Sequence, residues 1–151
     1  MAQVRRMDCH VEAKSSADKF FDAYTTKPYL LPKMSDQLIT DIKLLQGDWD
    51  SVASVRQWYY ALEGQSLTVN EMIEKIDHTN QTIVYKALEG DCMEFYNRWN
   101  SIVNVTQMGD GCLVKCTIEF EKKNDDAPDL VMYDDLFTSL IKNIDDFLLK
   151  N

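Results

Sequence analysis

From Gln37 to Lys123 apolar and polar residues alternate with a period of two, broken only at compact turn sequences. Beyond that the period changes. Leu130, Tyr133, Phe137, Leu140, Ile141, Ile144 and Leu148 form one helical stripe running to the C-terminus. Six successive strands with tight connections pair as an antiparallel meander, because parallel neighbours need long crossovers. A strongly twisted sheet of that kind can curl around the terminal helix.

The six segments are "QLITDIKLLQG", "SVASVRQWYYALEG", "QSLTVNEMIEKIDHTN", "QTIVYKALEG", "DCMEFYNRWNSIVNVTQ" and "CLVKCTIEFEKK". Gly47, Gly64, "DHTN" and the hairpin turn "MGDG" separate them. Upstream, "VRRMDCHVEA" alternates with Met7, Cys9 and Val11 on one face, a further strand. In "KSSADKFFDAYTT", Ser15 or Ser16 caps a short helix carrying Phe20, Phe21 and Tyr24 at helical spacing. Two prolines in "KPYLLPKMSD" keep a second helix short. Asp125 and Asp126 before Pro128 mark the start of the last helix, roughly 35 Å long if it runs from Pro128 to the end. The class is α+β: strand, two short helices, six strands, long helix. With 151 residues and no linker or repeat, residues 1–151 are expected to form a single domain.

The charge is −9, from 25 acidic against 16 basic residues. That balance argues against a nucleic-acid partner, which needs clustered cations to displace counterions, and against an anionic membrane surface. No apolar run approaches the ~20 residues of a membrane span. "MAQVRRMDCHVEAK" lacks the apolar stretch of a signal peptide, so a cytoplasmic location is expected. "NQT" and "NVT" are then chance matches to the glycosylation pattern. Of the four cysteines, Cys112 and Cys116 have a metal-like spacing, but along a strand their side chains stand about 13 Å apart. A zinc ion needs both sulfurs about 2.3 Å away. Buried thiols and no metal are the expectation. "GDWDSVAS" has one Gly, no Lys and two Asp, so it is not read as a phosphate loop.

"YLLPKMS", "LLQGDWDSVASVRQW", "KIDHTN", "LEGDCMEFYNRW" and the acidic "YDDL" of the last helix run nearly end to end. In these the chain resembles the major latex and ripening-related proteins of plants. They are a branch of the superfamily of the birch pollen allergen and the pathogenesis-related class ten proteins. The resemblance implies a helix-grip fold: a seven-stranded curved antiparallel sheet around a long C-terminal helix, with two short helices in a V beneath. It also implies an internal cavity for small, largely apolar molecules. Asp50 and Ala53 stand where the latex-type pattern often has Gly.

Strand alternation puts Arg56, Trp58 and Tyr60 on one face, and the resemblance turns that face inward. An inward guanidinium beside two rings suits a partly polar chamber, where it could anchor a carboxylate, phenolate or enolate. It also reads as a structural ion pair with an acid such as Glu94, or as a rim residue. The resemblance likewise turns Tyr96, Arg98, Asn100 and Ile102 inward, although hydrophobicity favours the opposite set, Phe95 and Trp99. Cys112, Val114, Cys116 and Ile118 are expected inside, with Ile83, Tyr85, Asn70 and Met72. Tyr24, Leu31, Met132, Leu136 and Leu140 are expected as helix-borne lining. Each of these also reads as ordinary core packing.

Two functions follow from the resemblance. One is a carrier or sensor of a small hydrophobic plant metabolite, of terpenoid, steroid, phenolic or alkaloid type. The other is a cofactor-independent enzyme of specialised metabolism that cyclises or isomerises a reactive iridoid-like or alkaloid intermediate. Condensing relatives use an inward Lys, whereas Lys115, Lys122 and Lys123 lie on the outer parity or near a strand end. His10 and His78 are poorly placed, one on an outer face and one in a turn. Tyr60, Tyr85 or Tyr96 would then give a proton while Arg56 or Arg98 holds an enolate. No cofactor motif is present; a monomer is favoured, with the oligomeric state open.

Overall fold

Alternation in "VRQWYYAL" sets the geometry of the molecule. Arg56, Trp58, Tyr60 and Leu62 are buried, while Val55, Gln57, Tyr59 and Ala61 are only half-buried. In the computed structural model, which describes residues 3–128 and 130–151, the strand is the sixth of seven in one antiparallel sheet. The strands are β1 (Val4–Ala13), β2 (Ile39–Gln46), β3 (Val55–Leu62), β4 (Gln65–Asp77), β5 (Thr82–Gly90), β6 (Tyr96–Met108) and β7 (Gly111–Lys122). Their order is β1-β7-β6-β5-β4-β3-β2. β2 to β7 are thus a sequential meander, and β1 adds at the β7 edge.

Helix α1 (Ala17–Thr25) is capped by Ser16, whose hydroxyl accepts the Lys19 N–H at 3.3 Å. A 3₁₀ turn at Pro28–Leu30 leads into the four-residue α2 (Leu31–Met34). Helix α3 (Val131–Lys150) lies against the sheet and buries Tyr133, Leu136, Leu140, Ile141 and Ile144. It starts three residues later than its acids and proline suggest. Asn124 captures that segment: its side-chain oxygen accepts the Asp126 N–H and its carbonyl accepts the Ala127 N–H. The Pro128 carbonyl accepts the Tyr96 hydroxyl. At 20 residues the helix is about 30 Å long.

"DCMEF" also departs from its strand reading. Asp91–Glu94 form a 3₁₀ turn, and β6 begins at Tyr96. Gly90 makes this possible. At φ 138°, a Cβ there would lie 2.5 Å from the Thr68 carbonyl oxygen, so only glycine lets β5 close onto β4 before the turn.

Ser15 is not the cap of α1. It is buried at the β1–α1 corner, where Asp145 of α3 accepts its N–H at 2.8 Å, its hydroxyl at 2.6 Å and the Lys14 N–H at 2.9 Å. Burial raises the Asp145 carboxyl, but these donors outweigh it and hold the pKa below 3.8. Asp145→Ala is expected to cost about 2 kcal/mol in urea unfolding at pH 7, because it orphans buried donors. A lowered carboxylate pKa stabilises above the unfolded value and is lost as pH falls through the folded one. The cost should therefore fade only below pH 3.8.

The four cysteines are free and buried, with Cys9 facing Cys116 across β1 and β7. No helix of the described residues is long and apolar enough to cross a membrane.

Candidate functional site

The inner face of the sheet does not close fully against α3. A chamber of about 60 Å³ remains, walled by Trp58 and Tyr60 of β3, Val69 and Glu71 of β4, and Trp99 and Ser101 of β6. Tyr24, Ile39 and Cys92 complete the sides, and Tyr133, Leu136, Phe137 and Leu140 of α3 form the lid. Aromatic packing makes it narrow. Tyr24 stacks on Trp58 at 6.4 Å, and Trp99 meets Tyr133 edge-on at 4.9 Å. Beside it an open cleft of about 460 Å³ runs past Leu62, Leu67, Phe95, Tyr96, Pro128 and Met132. Cys92 and Tyr133 line both spaces and so partition them. The Tyr133 hydroxyl is hydrogen-bonded to that of Tyr60 at 2.8 Å. Burial pushes both phenols well above their ordinary pKa.

The chamber's charged wall group is Glu71, a residue that alternation missed when Asn70 and Met72 were turned inward. Val69, Glu71 and Ile73 are the buried set; Asn70 and Met72 are half-buried on the other face, where Asn70 donates to exposed Glu89 at 2.8 Å. The greater apolarity of Val69 and Ile73 was the signal available. Burial pushes the Glu71 carboxyl up to about 7, against the opposing pull of Arg56 and the Ser101 hydroxyl. Ser101 donates to Glu71 Oε2 at 3.4 Å.

Arg56 pairs with Glu71 in the β3–β4 register and is fully buried. It does not line the chamber. Its Nη2 donates to the Trp49 carbonyl at 2.7 Å and to Ser54 Oγ at 3.1 Å. Its guanidinium lies 5.5 Å from the Trp49 ring and 5.5 Å from that of Tyr85. Glu94 is exposed on the 3₁₀ turn and is not its partner. Arg56 Nε and Nη1, Trp58 Nε1 and the Tyr85 hydroxyl are buried with no hydrogen-bond partner. The Trp58 indole bears on the Glu71 carboxyl, lowering its pKa, but stops short of hydrogen-bond geometry.

On β6 the inward set is Trp99, Ser101, Val103 and Val105. Arg98 is exposed, Ile102 is half-buried, and Asn100 is buried but shares their face. Tyr96 is nevertheless buried, against Trp99 at 5.2 Å. A register shift between Tyr96 and Arg98 in the pairing with β7 explains both, since one extra residue reverses the parity. The inward reading of Arg98, Asn100 and Ile102 is therefore corrected, and an enolate role for Arg98 goes with it.

Tyr24, Trp58, Tyr60, Leu136 and Leu140 do meet at the chamber. Met132 borders the cleft instead. Leu31, Ile83, Tyr85, Val114 and Cys116 are buried without lining either space. The 47–53 loop spends its backbone on the sheet, with the Ala53 N–H donating to the Ile73 carbonyl at 2.8 Å. Ala53 holds φ 70°, strained for a residue with a Cβ, where the latex-type pattern often has Gly.

MLP-like protein 28 of Arabidopsis thaliana is 30% identical over 148 residues, 97% of this chain but 44% of that protein. The chain thus spans less than half the length of that relative. The crystal structure of ginseng major latex-like protein 151 from Panax ginseng superposes with a TM-score of 0.92 at 27% identity, covering 95% of this chain and 97% of the other. Norcoclaurine synthase from Thalictrum flavum, solved in complex with dopamine and hydroxybenzaldehyde, superposes with a TM-score of 0.79. It covers 99% of this chain and 89% of its own, and its 16% identity shows a shared fold alone. A family model matches residues 2–151, and the chain belongs to the pathogenesis-related protein Bet v 1 family.

Proposed function

We propose that residues 1–151 act as one ligand-binding unit, a carrier or sensor that holds a small, largely apolar metabolite between the sheet and α3. The observation that carries this is an aromatic-walled chamber with one carboxyl in its wall, joined to an open cleft through Tyr133 and Cys92. Apolar walls with a few convergent polar groups are the usual make-up of small-molecule sites. Four buried polar atoms without a partner, on Arg56, Trp58 and Tyr85, add weight, because such atoms are rarely left so. The chamber of about 60 Å³ is far below the ~300–1,000 Å³ of a drug-sized site. Loading therefore requires the Tyr60–Tyr133 contact to part, so that cleft and chamber become one space. Terpenoid, steroid, phenolic and alkaloid bodies all suit such walls, and buried free thiols suit a reducing cytoplasm.

The test is displacement of a fluorescent apolar probe, read with Leu136→Trp. Leu136 is buried and lines the chamber, so the larger side chain should fill it. Affinity should fall at least about tenfold, some 1.4 kcal/mol, with folding retained by circular dichroism. Equal affinity in the folded variant would move the site elsewhere, and absence of probe binding by the parent chain would remove the reading. A catalytic use of the same chamber is favoured by Glu71.

A further inference from the structure

We propose that Glu71, acting with the Tyr60–Tyr133 hydroxyl pair, forms a proton-transfer site for small apolar ketones and aldehydes carrying an enolisable C–H bond. This rests on the chamber being a ligand site. The Glu71 carboxyl lines the chamber, where Ser101 donates to its Oε2 at 3.4 Å. Tyr60 and Tyr133 also stand in the chamber wall. Their two hydroxyls hold two hydrogens, and the 2.8 Å bond between them uses one. The second O–H is available to a ligand oxygen. A carboxyl base and a phenolic donor thus share one apolar space, with no Lys among the described residues of its wall to form a Schiff base.

The step balances without an added reactant. Ionised Glu71 takes the proton from the carbon beside the carbonyl. The C–H electron pair becomes a C=C bond, and the carbonyl π pair moves to oxygen. The free tyrosine O–H stabilises the oxyanion in a water-poor site. The Glu71 O–H exchanges with solvent, and Glu71 then delivers a proton (deuterium in D₂O) to the same carbon, or to the far carbon of a conjugated system, which is isomerisation. The carbonyl end fits the chamber and the remainder lies in the cleft. Arg56 is a positioning residue here, since it pairs with Glu71 in the β3–β4 register and is not in the wall. The groups bearing on Glu71 are Arg56 and Tyr60 of β3, Tyr24 of α1, Tyr85 of β5 and Cys92 of the 3₁₀ turn. Among them Arg56 alone is charged at neutral pH. A carboxyl raised to about 7 is well matched to general base work at that pH.

The experiment follows deuterium exchange of the α-hydrogens of cyclohexanone and octanal in D₂O by proton NMR. Binding is read in parallel by quenching of tryptophan fluorescence. The chain should speed exchange roughly 100-fold over buffer, with a rate that rises with pH and levels above about 7. Glu71→Gln should bind the probes and exchange them at the buffer rate. The double variant Tyr60→Phe, Tyr133→Phe, which removes both hydroxyls, should lose roughly 100-fold, as loss of an oxyanion donor does. Glu74→Gln, an exposed acid on the same strand, should match the parent. Binding without faster exchange would overturn the proposal and leave the carrier reading intact. Absence of binding would remove both. Should Glu71→Gln not fold, the parent pH profile and the Tyr60→Phe, Tyr133→Phe double variant decide: a flat profile or full activity in that double variant refutes the site.

Discussion

Arg56→Met is expected to cost about 3 kcal/mol of folding stability at pH 8, because it removes the cation whose charge offsets the buried Glu71 carboxyl. The methionine keeps the side-chain length, so the loss is not mainly a cavity. Three things go at once. The Trp49 carbonyl and Ser54 lose their donor, the rings of Trp49 and Tyr85 lose a cation, and Glu71 loses the positive charge beside it. At pH 5 the same variant should lose less, because Glu71 is then protonated and needs no counter-charge. The double variant Arg56→Met, Glu71→Gln should recover part of the pH 8 loss. Urea unfolding of the two single variants and the double at both pH values measures the coupling. Additive costs at pH 8 would show that the two groups do not interact.

The second large effect is the pH profile of stability. The Glu71 carboxyl has a folded pKa of about 7 against 4.5 for an ordinary glutamate. Between those values the folded state binds more protons than the unfolded state, so stability falls as pH rises. The drop is up to about 3 kcal/mol, at 1.36 kcal/mol per pKa unit. Glu71→Gln should flatten this decline. Asp8, Asp77 and Asp145 act in the opposite sense, but their pKa values are lowered from 3.8 and contribute below the window. Chemical unfolding from pH 4 to 8 separates them. A parent profile flat from pH 4.5 to 7 would mean that Glu71 ionises freely, in contact with water.

The element order was legible because it depends on period. Alternation marked β2 to β7, and the seven-residue stripe marked α3. Facing was legible where one strand stayed in register, as with Arg56, Trp58 and Tyr60. It failed on β6, where the shift beside Tyr96 is invisible to a parity count, and on β4, where an acid occupies an inward position. A carboxyl on the apolar face reads as solvent-facing in sequence, because the cation that offsets it lies on another strand.

Local chemistry along the chain therefore determined the strands, the helices and their succession. Periodicity and turn residues act over a few positions and need no distant partner. The tertiary structure decided which polar groups face inward, how little space remains, and where chamber and cleft meet. Those outcomes depend on contacts between residues far apart in sequence: Arg56 with Glu71, Tyr60 with Tyr133, and Tyr96 with Pro128. Only the register of the sheet and the seat of α3 create them.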